Sequence, residues 1–384
     1  MTGCGLSATL GDMDVNPVFC GIVPPHLLDR LADSGSEAVR QAARSALRLD
    51  AVHRDRRIGL VSAPTPPARP RAEARPKPHR AIGDAEQHQR LPGRIVRTEG
   101  DGPVADPSVN RAYEGLGDTF KLFLDAFSRD SIDGSGLRLN ATVHYGRRYM
   151  NAFWDGEQMV FGDGDGEIFT DFTKSLDVIG HELAHGVTQY TANLDYQDQS
   201  GALNESVSDV FGSLVRQYAL GQTAAEADWL IGADLLTSEV EGVALRSLKE
   251  PGSAYDDDVL GKDPQPGHMD DYVDTADDNG GVHINSGIPN RAFYLFATEL
   301  GGHAWERPGQ VWYDVLTGGE LTPNADFASF ARLTVAAAEA RFGSGAEVRA
   351  VTGAWSRVGV PTRGSDSGTT VPHQAGKEAP EPTS

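Results

Sequence analysis

The sequence predicts an α+β chain of two lobes, the first β-rich and the second mainly α-helical, with a helix at the change-over. Three observations predict it. Short apolar runs bounded by Gly, Asp and Asn crowd residues 79–170. Apolar positions at helical spacing dominate after Leu176. The string His181-Glu-Leu-Ala-His185 falls at the change-over between the two patterns. A chain of 384 residues that is 39% hydrophobic is long enough for two lobes of ordinary size with a sizeable core.

The elements follow in order. Asp33-Ser-Gly-Ser-Glu37 has the form of a helix start, and Ala38, Val39, Ala42, Ala43, Ala46 and Leu47 continue it as an apolar stripe, so one or two short helices are expected in residues 1–60. Between 61 and 78 the stretch from Ser62 to Pro78 contains six prolines among basic residues. Such a sequence excludes helix and central strand and reads as an exposed, protease-sensitive linker. Strands are expected at Gly93–Glu99, Arg138–Tyr145 and Gln158–Phe161, with a turn at Gly162-Asp-Gly-Asp-Gly and an apolar return at Ile168-Phe169. A helix is expected from about Ala112 to Phe127, and others over Asn204–Leu220, Asn290–Leu300 and Asp326–Arg341, the last closed by Gly343. The lobes are placed at 79–190 and 191–360, and residues 361–384, rich in Gly, Ser, Thr, Pro and Glu, read as a disordered tail.

Charge narrows the function. The chain carries 34 basic and 55 acidic residues, a formal −21, so nucleic acid and anionic membrane are poor partners. The imbalance is uneven: residues 1–78 hold 11 Lys/Arg and 8 Asp/Glu, net +3, against 23 and 47, net −24, in the remaining 306. Two parts with different tasks are expected. No run of about eighteen apolar residues reads as a membrane span, and the first residues lack the basic start and apolar stretch of a Sec signal. Two cysteines, Cys4 and Cys20, are too few for a disulfide framework. A bridge, a thiol that caps a metal, and two reduced buried side chains all remain open.

His181 and His185 lie one helical turn apart, about 40° round from each other, with Glu182 about 100° from His181 in the same wedge of surface. Two such imidazoles grip one zinc ion, and the carboxylate between them reaches toward a water on it. A site of two histidines and one glutamate keeps its fourth position open for that water. Twenty residues on, Glu205 and Asp209 share a helix face, Glu205 as the third ligand and Asp209 as the carboxylate that takes the second ring N–H of a ligating histidine.

These residues, with Asn151-Ala-Phe-Trp154, Gly201-Ala-Leu-Asn-Glu-Ser-Val-Ser-Asp209 and Asp278-Asn-Gly-Gly-Val-His283, resemble the thermolysin-like neutral zinc metallopeptidases over about Arg80–Val360. The resemblance implies a two-lobed fold with the zinc helix between the lobes and a zinc endopeptidase activity. It makes His181, His185 and Glu205 the zinc ligands and Glu182 the base that takes a proton from the attacking water. His283 and Tyr196 match the positions that stabilise the oxyanion, and Asp278 the acid that orients the histidine. Asn151 and the backbone of Ala152 match the edge that holds an extended substrate. Arg246 matches an arginine near the carbonyl beyond the cut bond. Val178, Leu245, Phe169 and Phe172 match an apolar S1′ pocket, which implies cleavage before Leu, Phe or Ile.

Departures from the family pattern matter as well. Asp177 and Asp209 remain, but Arg216 stands where large secreted members carry a calcium-ligating glutamate, and a cation there repels Ca²⁺. Asp163-Gly-Asp165-Gly reads as a tight turn and Asp256-Asp-Asp258 as a solvated loop. One zinc and a depleted calcium set are therefore expected. Ile22-Val-Pro24-Pro25-His-Leu-Leu28 resembles the short propeptide of the protealysin subgroup, which implies that residues 1–60 cover the cleft as an intramolecular inhibitor until the linker is cut. That subgroup gives no support for a cysteine on the metal. Protein or peptide substrates, a monomeric state and non-Sec secretion are the accompanying expectations, with cytoplasmic residence as the alternative. An aminopeptidase would need an acidic pocket for a free amine, which no motif supplies, and an inactive binding partner would have no physical reason to keep Glu182, His283 and Tyr196 together.

Overall fold

The structure is a computed structural model and describes residues 20–58 and 76–362. The N-terminal part forms β1 (Cys20–Gly21), α1 (Pro25–Ser34) and α2 (Glu37–Ile58). Pro25 sits at the first position of α1, where a missing N–H costs nothing, and Leu27, Leu28 and Leu31 are buried with Val39, Ala43 and Ala46 of α2. Each fully buried leucine contributes about 1.5–3 kcal/mol. The second helix runs 22 residues, longer than the short helix expected.

The first lobe contains β2 (Arg80–Asp84), β3 (Arg94–Thr98), α3 (Pro107–Phe127), β4 (Leu139–Val143), β5 (Ala152–Trp154) and β6 (Met159–Phe161). They form one mixed sheet in the order β1-β5-β6-β4-β2-β3, with β2, β4 and β6 parallel and the remaining pairs antiparallel. The short β1 therefore closes the sheet along the outer edge of β5. The apolar return expected at Ile168-Phe169 is not a ladder strand: Phe169 makes a single bridge to Leu236. Asp165 accounts for that, since its Oδ1 accepts from the N–H groups of Ile168 and Phe169 at 3.0 and 2.8 Å and turns the chain away from β6. α3 begins five residues before the expected Ala112 because Asp106 caps it, accepting from Ser108 N at 2.8 Å, with Pro107 next.

The carboxyl group of Asp106 has a second task. Its Oδ2 accepts from His144 Nε2, while Asp163 Oδ1 accepts from His144 Nδ1, at 2.8 and 2.7 Å. Both ring nitrogens donate, so the imidazole is charged, and it ties the start of α3, the end of β4 and the turn after β6. The bond to Asp163 pushes the His144 pKa up to about 9 against the opposing effect of burial, with Asp106 adding to the rise. The folded pKa lies above the ordinary 6.5, so the clamp's stabilisation is fully present below about pH 6.5 and is lost as pH rises through about 9. Thermal unfolding followed between pH 6 and 10 is expected to fall over that window and to lose that component in His144→Gln; identical pH profiles for both proteins would contradict it.

The second lobe follows α4 (Leu176–Gln189) and contains α5 (Asp198–Leu220), β7 (Leu230–Ile231), β8 (Arg246–Ser247), β9 (Asp256–Asp257), β10 (Gly261–Lys262), α6 (Asp278–Asn285), α7 (Gly287–Leu300), α8 (Arg307–Thr317), α9 (Phe327–Phe342) and α10 (Ala346–Arg357). Nearly every residue of α4 is buried, as expected of a helix packed on all sides. Its closest neighbour is α5, and two glycines set their separation. A Cβ at Gly212 would stand 2.4 Å from the Asp177 carbonyl oxygen, and one at Gly180 would stand 2.9 Å from Val215 Cγ2. The backbones of the two helices thus touch where any larger residue would hold them apart. α5 starts at Asp198, six residues before the expected Asn204, so the whole Gly201–Asp209 motif is helical.

Candidate active site

The contact between α4 and α5 brings the two motifs together. His181, His185 and Glu205 are fully buried, and their ligand atoms lie within 4.8 Å of one another. His181 Nε2 is 3.0 Å from His185 Nε2, Glu205 Oε2 is 3.6 Å from His181 Nε2, and Glu205 Oε1 is 3.5 Å from His185 Nε2. Bonds of about 2.0–2.1 Å from one tetrahedral zinc require ligand atoms about 3.3 Å apart, which these separations match.

The surroundings fix which atoms face the cluster. His181 Nδ1 donates to Asp209 Oδ1 and His185 Nδ1 to Asn204 Oδ1, each at 2.8 Å, with Ser208 Oγ 3.0 Å from His185 Nδ1. Donation from Nδ1 leaves Nε2 as the atom each ring turns toward the cluster. Two lone pairs facing each other beside a carboxylate repel unless a cation lies among them, so the donor set fits zinc. Burial lowers the His185 pKa to about 3, which keeps it a neutral ligand. Burial alone would raise the Glu205 pKa, but His283, His185, His181 and Arg246 hold it at about 2.

Asp209 is itself gripped. Arg246 donates from Nε and Nη2 at 2.9 Å, and Asn290 Nδ2 donates at 2.8 Å. Burial works against its charge, but Arg246 and the His181 bond hold its pKa well below the usual carboxylate range. Asn204, Ser208 and Asn290 are absent from the sequence-based site. Asn204 and Ser208 share the helix face of Glu205 and Asp209, a signal readable by periodicity; Asn290 comes from α7 and only the tertiary fold supplies it.

Glu182 lies in the same chamber. Its Oε2 accepts from Trp154 N at 3.0 Å, while Oε1 is buried without a hydrogen-bond partner among the described residues. Burial and then the Glu205 charge raise its pKa well above the ordinary carboxyl value, with the Trp154 and Ile22 backbone N–H groups and Arg246 acting oppositely. A dication among the neighbouring ligands would draw it down again.

His283 and Tyr196 complete the polar wall. Asp278 accepts from His283 Nδ1 at 2.7 Å and from its backbone N at 2.9 Å, and with Glu205 it raises the His283 pKa against burial. The geometry depends on an unusual backbone: Asp278, Asn279, Gly280 and Gly281 all have φ between 51° and 83°. That run suits Asn and Gly, and a Cβ at Gly280 would stand 2.0 Å from Asp198 Oδ1. The Tyr196 hydroxyl donates to Glu205 Oε1 at 2.5 Å and lies 3.3 Å from His283 Nε2. Its single proton is thus given to Glu205 here.

The remaining sequence-predicted residues come from several elements: Asn151 and Ala152 from β5 and the residue before it, Val178 from α4, and Leu245 and Arg246 from β8 and the residue before it. Asn151 and Ala152 are buried at the sheet edge, and Arg246 Nη1 donates to Ile22 O at 3.0 Å. Val178, Leu245, Phe169 and Phe172 are all buried, with the Phe169 and Phe172 rings 5.7 Å apart. Where calcium was expected to be depleted, Arg216 Nη1 donates to Asp177 at 2.9 Å and Asp234 at 2.6 Å, with Asp228 3.7 Å from Nη2. The carboxylates of Asp165 and Asp257 accept from backbone N–H groups of their own turns. Cys4 and the residues 61–75 of the expected linker lie outside the described residues, as does the tail beyond 362, and of Cys20 only the backbone is described.

Two histidines and a glutamate converging from adjacent helices, with a second glutamate beside them, define a zinc metallopeptidase site. Comparison with known proteins agrees. The thermolysin metallopeptidase catalytic domain matches residues 97–189, and the thermolysin metallopeptidase alpha-helical domain matches 192–360. An "Extracellular metalloprotease" of Pectobacterium carotovorum subsp. carotovorum is 51% identical over 355 residues, covering 90% of this chain and 97% of that protein. "Protease PrtS" of a Photorhabdus species is 53% identical over 290 residues, 75% of this chain and 78% of that one. Among solved structures, the precursor of protealysin, a metalloproteinase from Serratia proteamaculans, superposes with a TM-score of 0.82 at 51% identity over 89% of this chain and 100% of that one. The chain belongs to the thermolysin metallopeptidase family and is a zinc metalloendopeptidase.

Proposed function

We propose that the chain is a latent endopeptidase that hydrolyses peptide bonds on the amino side of Leu, Phe or Ile, with Glu182 as general base and residues 1–60 as its inhibitor. The observation that carries this reading is the convergence of Glu182, His181, His185 and Glu205 in one buried chamber beside the β5 edge. Zinc bound there supplies Lewis acidity toward the carbonyl and lowers the pKa of a coordinated water. The chain's own residues do the rest. Asn151, the Ala152 carbonyl and Arg246 hold an extended main chain, Glu182 takes the water's proton and passes it to the leaving nitrogen, and His283 with Tyr196 donates toward the oxyanion. The side chains of Val178, Leu245, Phe169 and Phe172 select the apolar residue after the cut.

Latency is supported by the position of β1, which lies on the edge an extended substrate would need. A depleted calcium set accompanies it, because the Arg216 guanidinium already pairs with Asp177 and Asp234 where a calcium ion would need those carboxylates. The relative from Pectobacterium is named extracellular, which supports release from the cell, and we take the enzyme to act as a monomer.

The test uses chain cut by trypsin in the linker, where Arg71-Ala72 is the bond not followed by proline, and then separated from its released N-terminal part. Internally quenched peptides with Leu, Phe or Ile after the cut are expected to be hydrolysed at least tenfold faster than those with Asp or Gly there. 1,10-Phenanthroline should abolish the activity, while a calcium-selective chelator should leave the melting temperature unchanged. Removal of single N-terminal residues in place of internal cuts would overturn the endopeptidase reading.

A further inference from the structure

Residues 20–23 lie along β5 as an extended guest. Cys20 pairs with Trp154 and Gly21 with Phe153 in antiparallel register. Ile22 N donates to Ala152 O at 3.0 Å, and Arg246 Nη1 donates to Ile22 O at the same distance. Val23 N donates to Asn151 Oδ1 at 2.9 Å, and Asn151 Nδ2 donates back to Val23 O at 3.3 Å. Ile22 and Val23 are both buried. Every group proposed above to hold a substrate main chain is thus engaged by these two residues. The Ile22 amide is also close enough to act on the Glu182 charge. One peptide bond of the chain, Gly21–Ile22, therefore stands at the proposed base, with a bulky apolar residue on its C-terminal side.

We infer that Gly21–Ile22 is a self-cleavage site, cut within the same molecule before the N-terminal part is released; this rests on the endopeptidase reading. The reaction is hydrolysis. Water oxygen bonds to the Gly21 carbonyl carbon, the bond from that carbon to the Ile22 nitrogen breaks, and a proton passes through Glu182 to the nitrogen. The products are a Gly21 carboxylate and an Ile22 amine.

The cut does not free the cleft. Ile22 and Val23 keep their bonds to Arg246 and Asn151, and α1 and α2 keep Leu27, Leu28, Leu31 and Val39 in the shared core. Asp50 of α2 reaches the same edge, accepting from Tyr149 Oη at 2.7 Å and Asn151 Nδ2 at 3.1 Å. The nicked chain stays latent until α2 leaves. Glycine at 21 is part of the fit, since a Cβ there would stand 2.4 Å from Asn151 Nδ2.

Zinc-loaded full chain, kept with inhibitors of serine and cysteine proteases, is followed by intact mass and N-terminal sequencing at two protein concentrations. Loss of residues 1–21 is expected, with Ile22 as the new N-terminus, at a rate independent of concentration and absent from Glu182→Gln and Gly21→Val. A second readout needs no turnover: a peptide of residues 22–27 should bind trypsin-cut, zinc-free protein at least tenfold more tightly than its Ile22→Asp form. The inference is overturned if Gly21–Ile22 stays intact, if its cleavage persists in Glu182→Gln or scales with concentration, or if the two peptides bind equally. Such a result with a trypsin-cut enzyme that still hydrolyses quenched peptides would leave the endopeptidase reading standing. A trypsin-cut enzyme inert toward those peptides would remove both.

Discussion

Glu182→Gln is expected to lower kcat on a quenched peptide by about 10²–10⁴-fold, the range for loss of a positioned general base, while the protein keeps its zinc. Glutamine has the same shape and can still accept from the Trp154 backbone N–H, which Glu182 Oε2 does at 3.0 Å, so the chamber should survive the change. What it cannot do is accept a proton from the attacking water. The ligands His181, His185 and Glu205 are untouched, and metal content measured by atomic emission should stay at one zinc per chain. Activity within tenfold of the parent would show that another group serves as base. Equal loss of zinc and activity would show that Glu182 supports the metal instead of the proton transfer.

Arg246→Met is expected to cost about 3–5 kcal/mol of stability, the range for leaving one partner of a buried ion pair uncompensated. The guanidinium and Asp209 are both buried, and Asp209 would retain only His181 and Asn290 as donors. For a chain of 384 residues that corresponds to a fall in Tm of about 4–6 °C by calorimetry. Because Asp209 also fixes the His181 ring, zinc affinity should fall about 10–100-fold, as it does when the partner behind a metal-ligating histidine is lost. Arg246→Lys keeps a charge but loses the fork that gives Asp209 two bonds, so an intermediate loss is expected. A Tm within 2 °C of the parent in Arg246→Met would mean that Asp209 carries no charge in the folded chain.

Much of this site was legible because its residues are spaced by helix geometry. His181, Glu182 and His185 lie on one wedge of α4, and Glu205 and Asp209 on one face of α5, so periodicity alone pairs them. The order of the lobes was legible too, since the period of the apolar pattern changes near Leu176. Helix starts were read late: α3 begins at Pro107 behind its Asp106 cap, upstream of the apolar stripe, and α5 begins at Asp198 without a side-chain cap to announce it. Contacts distant in sequence were not legible. Nothing in the residues around Asp50 announces a bond to Asn151, 101 positions away, nor does Asn290 announce its bond to Asp209. Such partners depend on how α2 and α7 pack, which local pattern does not encode. Likewise β1 is too short to register as a strand, and it forms because β5 offers it an edge.

The meeting of Gly180 and Gly212 bears on how the protein acquires its ion. Where two helices abut main chain to main chain, their mutual distance is set by hard atomic radii and not by side chains that can reorient. The donors riding on those helices are then held like fingers on a clenched hand, with little freedom to drift when nothing is grasped. Uptake of the ion should consequently demand almost no reshaping, and chelation should leave an empty but correctly formed mould.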